Sequence, residues 1–260
     1  MKKLFLAVWL MVSGAVPFAG AHDTWVQSGP LVARYQDVVH IDLMLGNHGN
    51  NHRDFKLASK ITLDPCTLEL IQPDGSKMDL KGSAIDMGSA PKEGFWSSRF
   101  VTKQLGVHQV VHTLDMLHGT TRAIKTGKTY FIASNSFGSV PKAGSDQIQP
   151  LNKGLELVLE GSLESIAANR DVKLRVLWHG KPLPQADVAF VPRGATLAEG
   201  KDSTYEKTSD ANGFVSFRPM EGNYLLAVVH HVATDERGEG YDKTHYGATL
   251  VLPIPHVPLQ

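Results

Sequence analysis

Val38-Val39-His40-Ile41-Asp42-Leu43-Met44-Leu45 decides the fold class, because apolar residues recur at every second position. Val39, Ile41, Leu43 and Leu45 share one face and Val38, His40, Asp42 and Met44 the other, the period-2 pattern of a half-buried strand. Working outward, residues 68–71 and a short run ending at Leu80 flank Gln72-Pro73-Asp74-Gly75. Proline presets φ there and glycine accepts a positive one, so the segment reads as two strands around a turn. Residues 106–114 and 129–134 are further β-prone runs. Residues 135–153 are rich in Ser, Gly, Pro, Lys and Asn without any period, which marks a boundary.

Beyond that boundary, short β-prone runs at 155–159, 172–178, 186–191, 214–217, 224–230 and 248–252 alternate with turn signals. These are His179-Gly180-Lys181-Pro182, Asp210-Ala211-Asn212-Gly213 and Glu221-Gly222-Asn223. Only residues 163–168 read as helical. The expected architecture is all-β, two consecutive antiparallel β-sandwich units of immunoglobulin-like or prealbumin-like kind, residues 22–150 (His-rich) and 151–260.

The 260-residue length is ample for such a core, and 42% hydrophobic with 20% charged residues is a folded composition. Lys+Arg and Asp+Glu number 26 each, so no basic field exists to attract nucleic acid or an anionic membrane. Residues 1–21 read as a signal peptide: Lys2-Lys3, an apolar stretch from Leu4 to Val16, and Ala19-Gly20-Ala21 as a small-x-small cleavage site. The expected location is the periplasm. The apolar run is too short for a membrane span, and no second one follows, so the mature chain is expected to lack a transmembrane helix. Cys66 is the single cysteine, which excludes an intrachain disulfide. At the head of an apolar segment it reads as buried and inert rather than as a reactive thiol or copper ligand.

Twelve histidines against one cysteine point to imidazole chemistry. Cleavage after Ala21 leaves His22 first, and an N-terminal histidine offers an α-amine and a ring nitrogen to one transition metal. His48 and His52 lie in a Gly- and Asn-rich loop directly after a strand, where tight turns allow convergence. His108 and His112 share a strand face but sit about 13 Å apart, too far to bind one ion together. His230 and His231 end a strand and point to opposite faces, so one at most faces inward. Either of them with His245, across the acidic loop 235–242, makes a second cluster. The expected metal ligands are His22, His48, His52, His231 and His245. Such a site would weaken as pH falls through about 6.5, where protons compete for imidazole. His40, His118, His179 and His256 read as strand-surface, loop, turn and tail positions.

Ala21-His22-Asp23-Thr24-Trp25-Val26, the run from Gly180 to Val188, Thr208-Ser209-Asp210-Ala211-Asn212-Gly213-Phe214, Gly222-Asn223-Tyr224-Leu225-Leu226 and the block from Gly240 to Leu250 carry a resemblance. Together they resemble an exported bacterial family of poorly known function. It is described as the nickel uptake substrate-specific region, or the periplasmic component of cobalt transport. The resemblance implies a two-part all-β periplasmic protein that takes part in uptake or delivery of a divalent transition metal, Ni²⁺ or Co²⁺ before Cu²⁺ or Zn²⁺. Its implied partner is a membrane metal permease or an outer-membrane receptor. Permease members carry transmembrane helices, and this chain shows none. A non-enzymatic role is the expectation.

Three other classes remain open at this point. A copper brace on His22, with Tyr246 axial, would make the chain a redox enzyme. A metal-free pair of sandwiches would make it an interaction module, and Trp25, Trp96 or Trp178 could serve a carbohydrate. Gly-x-Ser-x-Gly, Walker and His-Glu-x-x-His patterns are missing from the sequence.

Overall fold

The computed structural model describes residues 22–46, 53–137, 140 and 148–259. These residues form strands joined by turns, with no α-helix. The helical expectation for 163–168 gives way to one 3₁₀ turn, Leu163–Ser165. No helix among the described residues is long and apolar enough to cross a membrane.

Three sheets make three layers. The first outer sheet has the order β1 (Asp23–Ser28), β3 (Val38–Gly46), β7 (Trp96–Val101), β6 (Ile85–Asp86). The second outer sheet runs β10 (Leu155–Glu160), β11 (Val172–Trp178), β12 (Lys181–Pro182), with β15 (Phe214–Phe217) also on β11. Between them lies a nine-stranded sheet. Its order is β14 (Glu206–Thr208), β13 (Asp187–Pro192), β16 (Asn223–Ala233), β17 (Lys243–Ile254), β9 (Thr121–Ser134), β8 (Gly106–His118), β4 (Cys66–Ile71), β5 (Lys77–Asp79). The short β2 (Val32–Arg34) also pairs with β9.

Residue parity explains the layering. In β3 the alternating set Val39, Ile41 and Leu43 is fully buried against Leu68, Leu70, Val110 and Phe131 of the central sheet. On the opposite face of that sheet, Val188, Phe190, Ala227, Val229, Leu250 and Leu252 meet Leu157, Leu174 and Val176. Each layer thus removes one apolar face from water, the condition for a stable stack of sheets.

The expected halves are joined more closely than consecutive sandwiches. The pairing of β17 with β9 is parallel, from Lys243↔Thr121 to Val251↔Thr129, so strands from both sides of residue 150 share one continuous sheet. Across this seam lies β1. All its residues are buried, with Val26 in the core of the first half and Trp25 packed with Met44 of that half and with Ala189, Val191 and Val228 of the second. Gly46, paired with Asp23, is required by this packing: a Cβ there would lie 2.1 Å from the Trp25 ring.

Candidate functional site

The start of β1 and the ends of β16 and β17 converge at one edge of the seam. The β16–β17 ladder pairs His230 with Gly247 and Val232 with His245, so His230 and His245 share a face of the central sheet. Their ring centroids are 5.2 Å apart. Asp23 enters from β1 above them. Its Oδ1 lies 2.8 Å from His230 Nε2 and 3.3 Å from Lys125 Nζ. A carboxylate only accepts, so Nε2 is the protonated ring nitrogen of His230, and a metal would be met by Nδ1.

Lys125 reaches this point across Gly247, to which it is paired in the parallel ladder. A Cβ on Gly247 would stand 2.8 Å from Lys125 Cδ and 2.9 Å from Nζ, so the glycine is what lets the lysine stem lie flat on the sheet. The side chains of Asp23 and Lys125 are 0% and 3% exposed, whereas that of His230 is 33% exposed. The centre is therefore a buried ion pair with an imidazole at its mouth. Burial, then the Lys125 and His230 charges, pull the His245 pKa down to about 3, which leaves that ring a neutral donor at physiological pH.

His22 directly precedes β1 and is exposed. His48 and His52 lie outside the described residues. His231 does not join His245: it pairs with Tyr246 on the other face, its ring 4.5 Å from that of Trp178. The hairpin register, one residue off the alternative, selects His230 instead. Tyr246 is likewise on the far side, donating to Glu236 Oε2 at 2.7 Å, so it is not axial to the His230–His245 pair. Burial and the Glu236 charge hold its phenol above the ordinary range.

Two other candidates are structural. His112 is fully buried between strands, Nδ1 2.9 Å from the Thr67 carbonyl oxygen and Nε2 3.0 Å from Thr24 Oγ1. His108 stacks on Phe131 at 4.7 Å and 8°. Trp25 belongs to the core, and Trp96 donates to the Ile61 carbonyl oxygen at 2.8 Å. Cys66 is buried, and desolvation raises its thiol pKa to about 11. In the native protein it should therefore resist a thiol-specific disulfide reagent and react only after denaturation, which absorbance during labelling reads directly. Fast labelling of the folded chain would contradict this placement.

Sequence reasoning missed Asp23 and Lys125. Asp23 was a neighbour of the expected ligand His22, and Lys125 precedes the run recognised as a strand; only long-range pairing brings them to the site. The described residues contain no group of three or more His, Cys, Asp or Glu side chains placed to hold a metal ion. What they offer is two imidazoles backed by a carboxylate and an ammonium.

Among solved structures, a DUF4785 family protein from Legionella pneumophila is 12% identical at a TM-score of 0.30, over 78% of this chain and 50% of that one. Trypsin-activated alpha-2-macroglobulin from Escherichia coli is 13% identical at a TM-score of 0.30, over 89% of this chain and 15% of that one. Fibronectin(III)-like modules of Clostridium thermocellum CbhA are 10% identical at a TM-score of 0.21, over 88% and 94%. No curated protein matches the chain. A family described as a domain of unknown function, DUF4198, matches residues 19–232, and the chain belongs to that family.

Proposed function

We propose that the protein is an exported transition-metal-binding protein that captures or delivers Ni²⁺ or Co²⁺ at the His230–His245 pair, with His22 supplying its ring and, after export, its α-amine. The observation that carries this reading is the Asp23–His230–His245 arrangement. A carboxylate on one ring nitrogen fixes the tautomer and orientation of a ligating histidine, the support that metal-bound imidazoles commonly have. A second imidazole stands beside it, and His22 is the next residue along the chain from that carboxylate. An imidazole-rich set suits Ni²⁺, Co²⁺, Cu²⁺ or Zn²⁺ rather than Mg²⁺ or Ca²⁺. A membrane permease or outer-membrane receptor is the partner this role calls for.

The test is calorimetric titration of the exported chain, with its first residue verified as His22, using each of the four ions. His230→Ala and His245→Ala should each weaken binding about tenfold or more, the scale expected when a ligand or its support is lost. Metal should also raise Tm, since a ligand specific to the native state stabilises it. Absence of binding to the unaltered chain, or an affinity in both variants unchanged from that of the unaltered chain, refutes the proposal.

A further inference from the structure

We infer that Lys125 and Asp23 condense, independently of any metal, into an intramolecular amide that ties β1 to β9 of the central sheet. The structure shows the pair before condensation.

Among the described residues, two lysine–carboxylate pairs are almost fully buried, and they are held differently. Lys128 and Glu156 meet at 2.7 Å, and the Leu151 and Asn152 amides also donate to that carboxylate, which keeps it an anion. Lys125 Nζ stands 3.3 Å from Asp23 Oδ1, looser than the roughly 2.7–2.9 Å of a charge-assisted bond. The Nε2–H of His230 meets the same oxygen at 2.8 Å. Each buried charge carries a desolvation cost, and conversion of ammonium and carboxylate into amide and water removes both.

The ion pair already holds every atom of the products. A proton passes from Nζ to Oδ2, which leaves an amine beside a carboxylic acid. Nζ then attacks Cγ, the atom bonded to the oxygen it already faces. The Cγ–Oδ2 bond breaks, and Oδ2 leaves as water with a second proton from Nζ, so no oxidant or co-reactant is consumed. Negative charge develops on Oδ1 during attack, where the His230 N–H is aimed to stabilise it. Gly247, whose Cβ would stand 2.8 Å from Lys125 Cδ, leaves room for the lysine stem and so holds the amine beside the carboxyl group. Afterwards Oδ1 is an amide oxygen that still accepts from His230. The bond closes the chain between residues 23 and 125, which restricts the unfolded state.

Intact mass spectrometry of the denatured exported chain, its first residue verified as His22, reads the bond directly. The unaltered chain should be lighter than its sequence by one water, and its protease digest should contain a branched peptide joining Asp23 to Lys125. Lys125→Arg keeps a positive charge beside Asp23 but offers no free amine, so it should regain the full sequence mass. Dehydration of Asp23 alone to a cyclic imide would persist in that variant and give no branched peptide. His230→Phe, which removes the donor to Oδ1, should leave part of the freshly exported chain at full mass. Complete condensation in His230→Phe overturns the part given to His230. Full sequence mass in the unaltered chain, which decides even where a variant fails to fold, overturns the cross-link. So does a dehydrated Lys125→Arg, or a branch through Lys128 and Glu156 in place of Lys125 and Asp23.

Discussion

Glu156→Ala is expected to lower the unfolding free energy by about 3–5 kcal/mol, the range for removing one member of a buried ion pair. Glu156 and Lys128 are 0% and 1% exposed, with 2.7 Å between Oε1 and Nζ. The carboxylate has further work: Oε1 accepts from the Leu151 amide at 2.7 Å and Oε2 from the Asn152 amide at 3.1 Å. Truncation leaves an ammonium in the core between β9 and β10 and two amides without their acceptor. Burial already pulls the Lys128 pKa below its ordinary value, with the Glu156 charge opposing. A double change, Lys128→Met with Glu156→Gln, should cost less than Glu156→Ala alone, because the amide oxygen can still accept from one of the two backbone N–H groups and no unpaired ammonium is left once methionine fills the lysine channel. Urea unfolding at constant m-value measures both. A loss under about 1 kcal/mol for Glu156→Ala would mean that water or a rearranged segment reaches the ammonium.

This pair shows where local pattern stops being informative. The alternation of Val38–Leu45 and the Pro73-Asp74-Gly75 turn are local, and both appear where the sequence places them: Val39, Ile41 and Leu43 are buried, and Gly75 has φ of +81°. The strand Asp23–Ser28 carries Asp23, Thr24, Gln27 and Ser28 beside Trp25 and Val26, with no alternation, and it is buried because both halves close over it. Thr24 Oγ1 meets His112, the Thr24 carbonyl oxygen accepts from Thr249 Oγ1, and Ser28 Oγ donates to the Tyr130 carbonyl oxygen. Those contacts span sequence separations of 88, 225 and 102 residues, which no window of sequence encodes. The parallel β9–β17 seam is of the same kind. The choice between His230 and His231 turns on a single step of register, so a reading of opposite faces was available but not of which face is the site.

Acidification should destabilise the fold steeply between pH 6.5 and about 4, and the buried histidines are the reason: His245 beside Lys125, and the core pair His108 and His112. Desolvation lowers the pKa of both His108 and His112 to about 4, from 6.5 in an open chain. Above pH 6.5 neither state protonates these rings, and their full contribution is present. As pH falls toward 4 the unfolded chain binds protons that the folded chain refuses, so each ring withdraws about 1.4 kcal/mol per pH unit, about 3 kcal/mol over the interval. Both side chains are 0% exposed, so solvent screening does not soften the effect. His108→Phe isolates one of the two. The ring lies between Phe100 and Phe131, its Nε2 has no partner among the described residues, and phenylalanine keeps the stack. The variant gives up the contact of Nδ1 with the Gly106 carbonyl oxygen at 3.2 Å, so it should lie about 1 kcal/mol below the parent near pH 7.5 but lose stability less steeply toward pH 4.5, by about one proton's worth of slope. His112→Phe would cost stability at every pH, because Thr24 Oγ1 and the Thr67 carbonyl oxygen both lose a buried partner. Chemical unfolding at pH 7.5, 6.0 and 4.5 separates these outcomes. Parallel curves for the parent and His108→Phe would show that the folded protein admits a proton to that ring and that the core opens before acid denatures it.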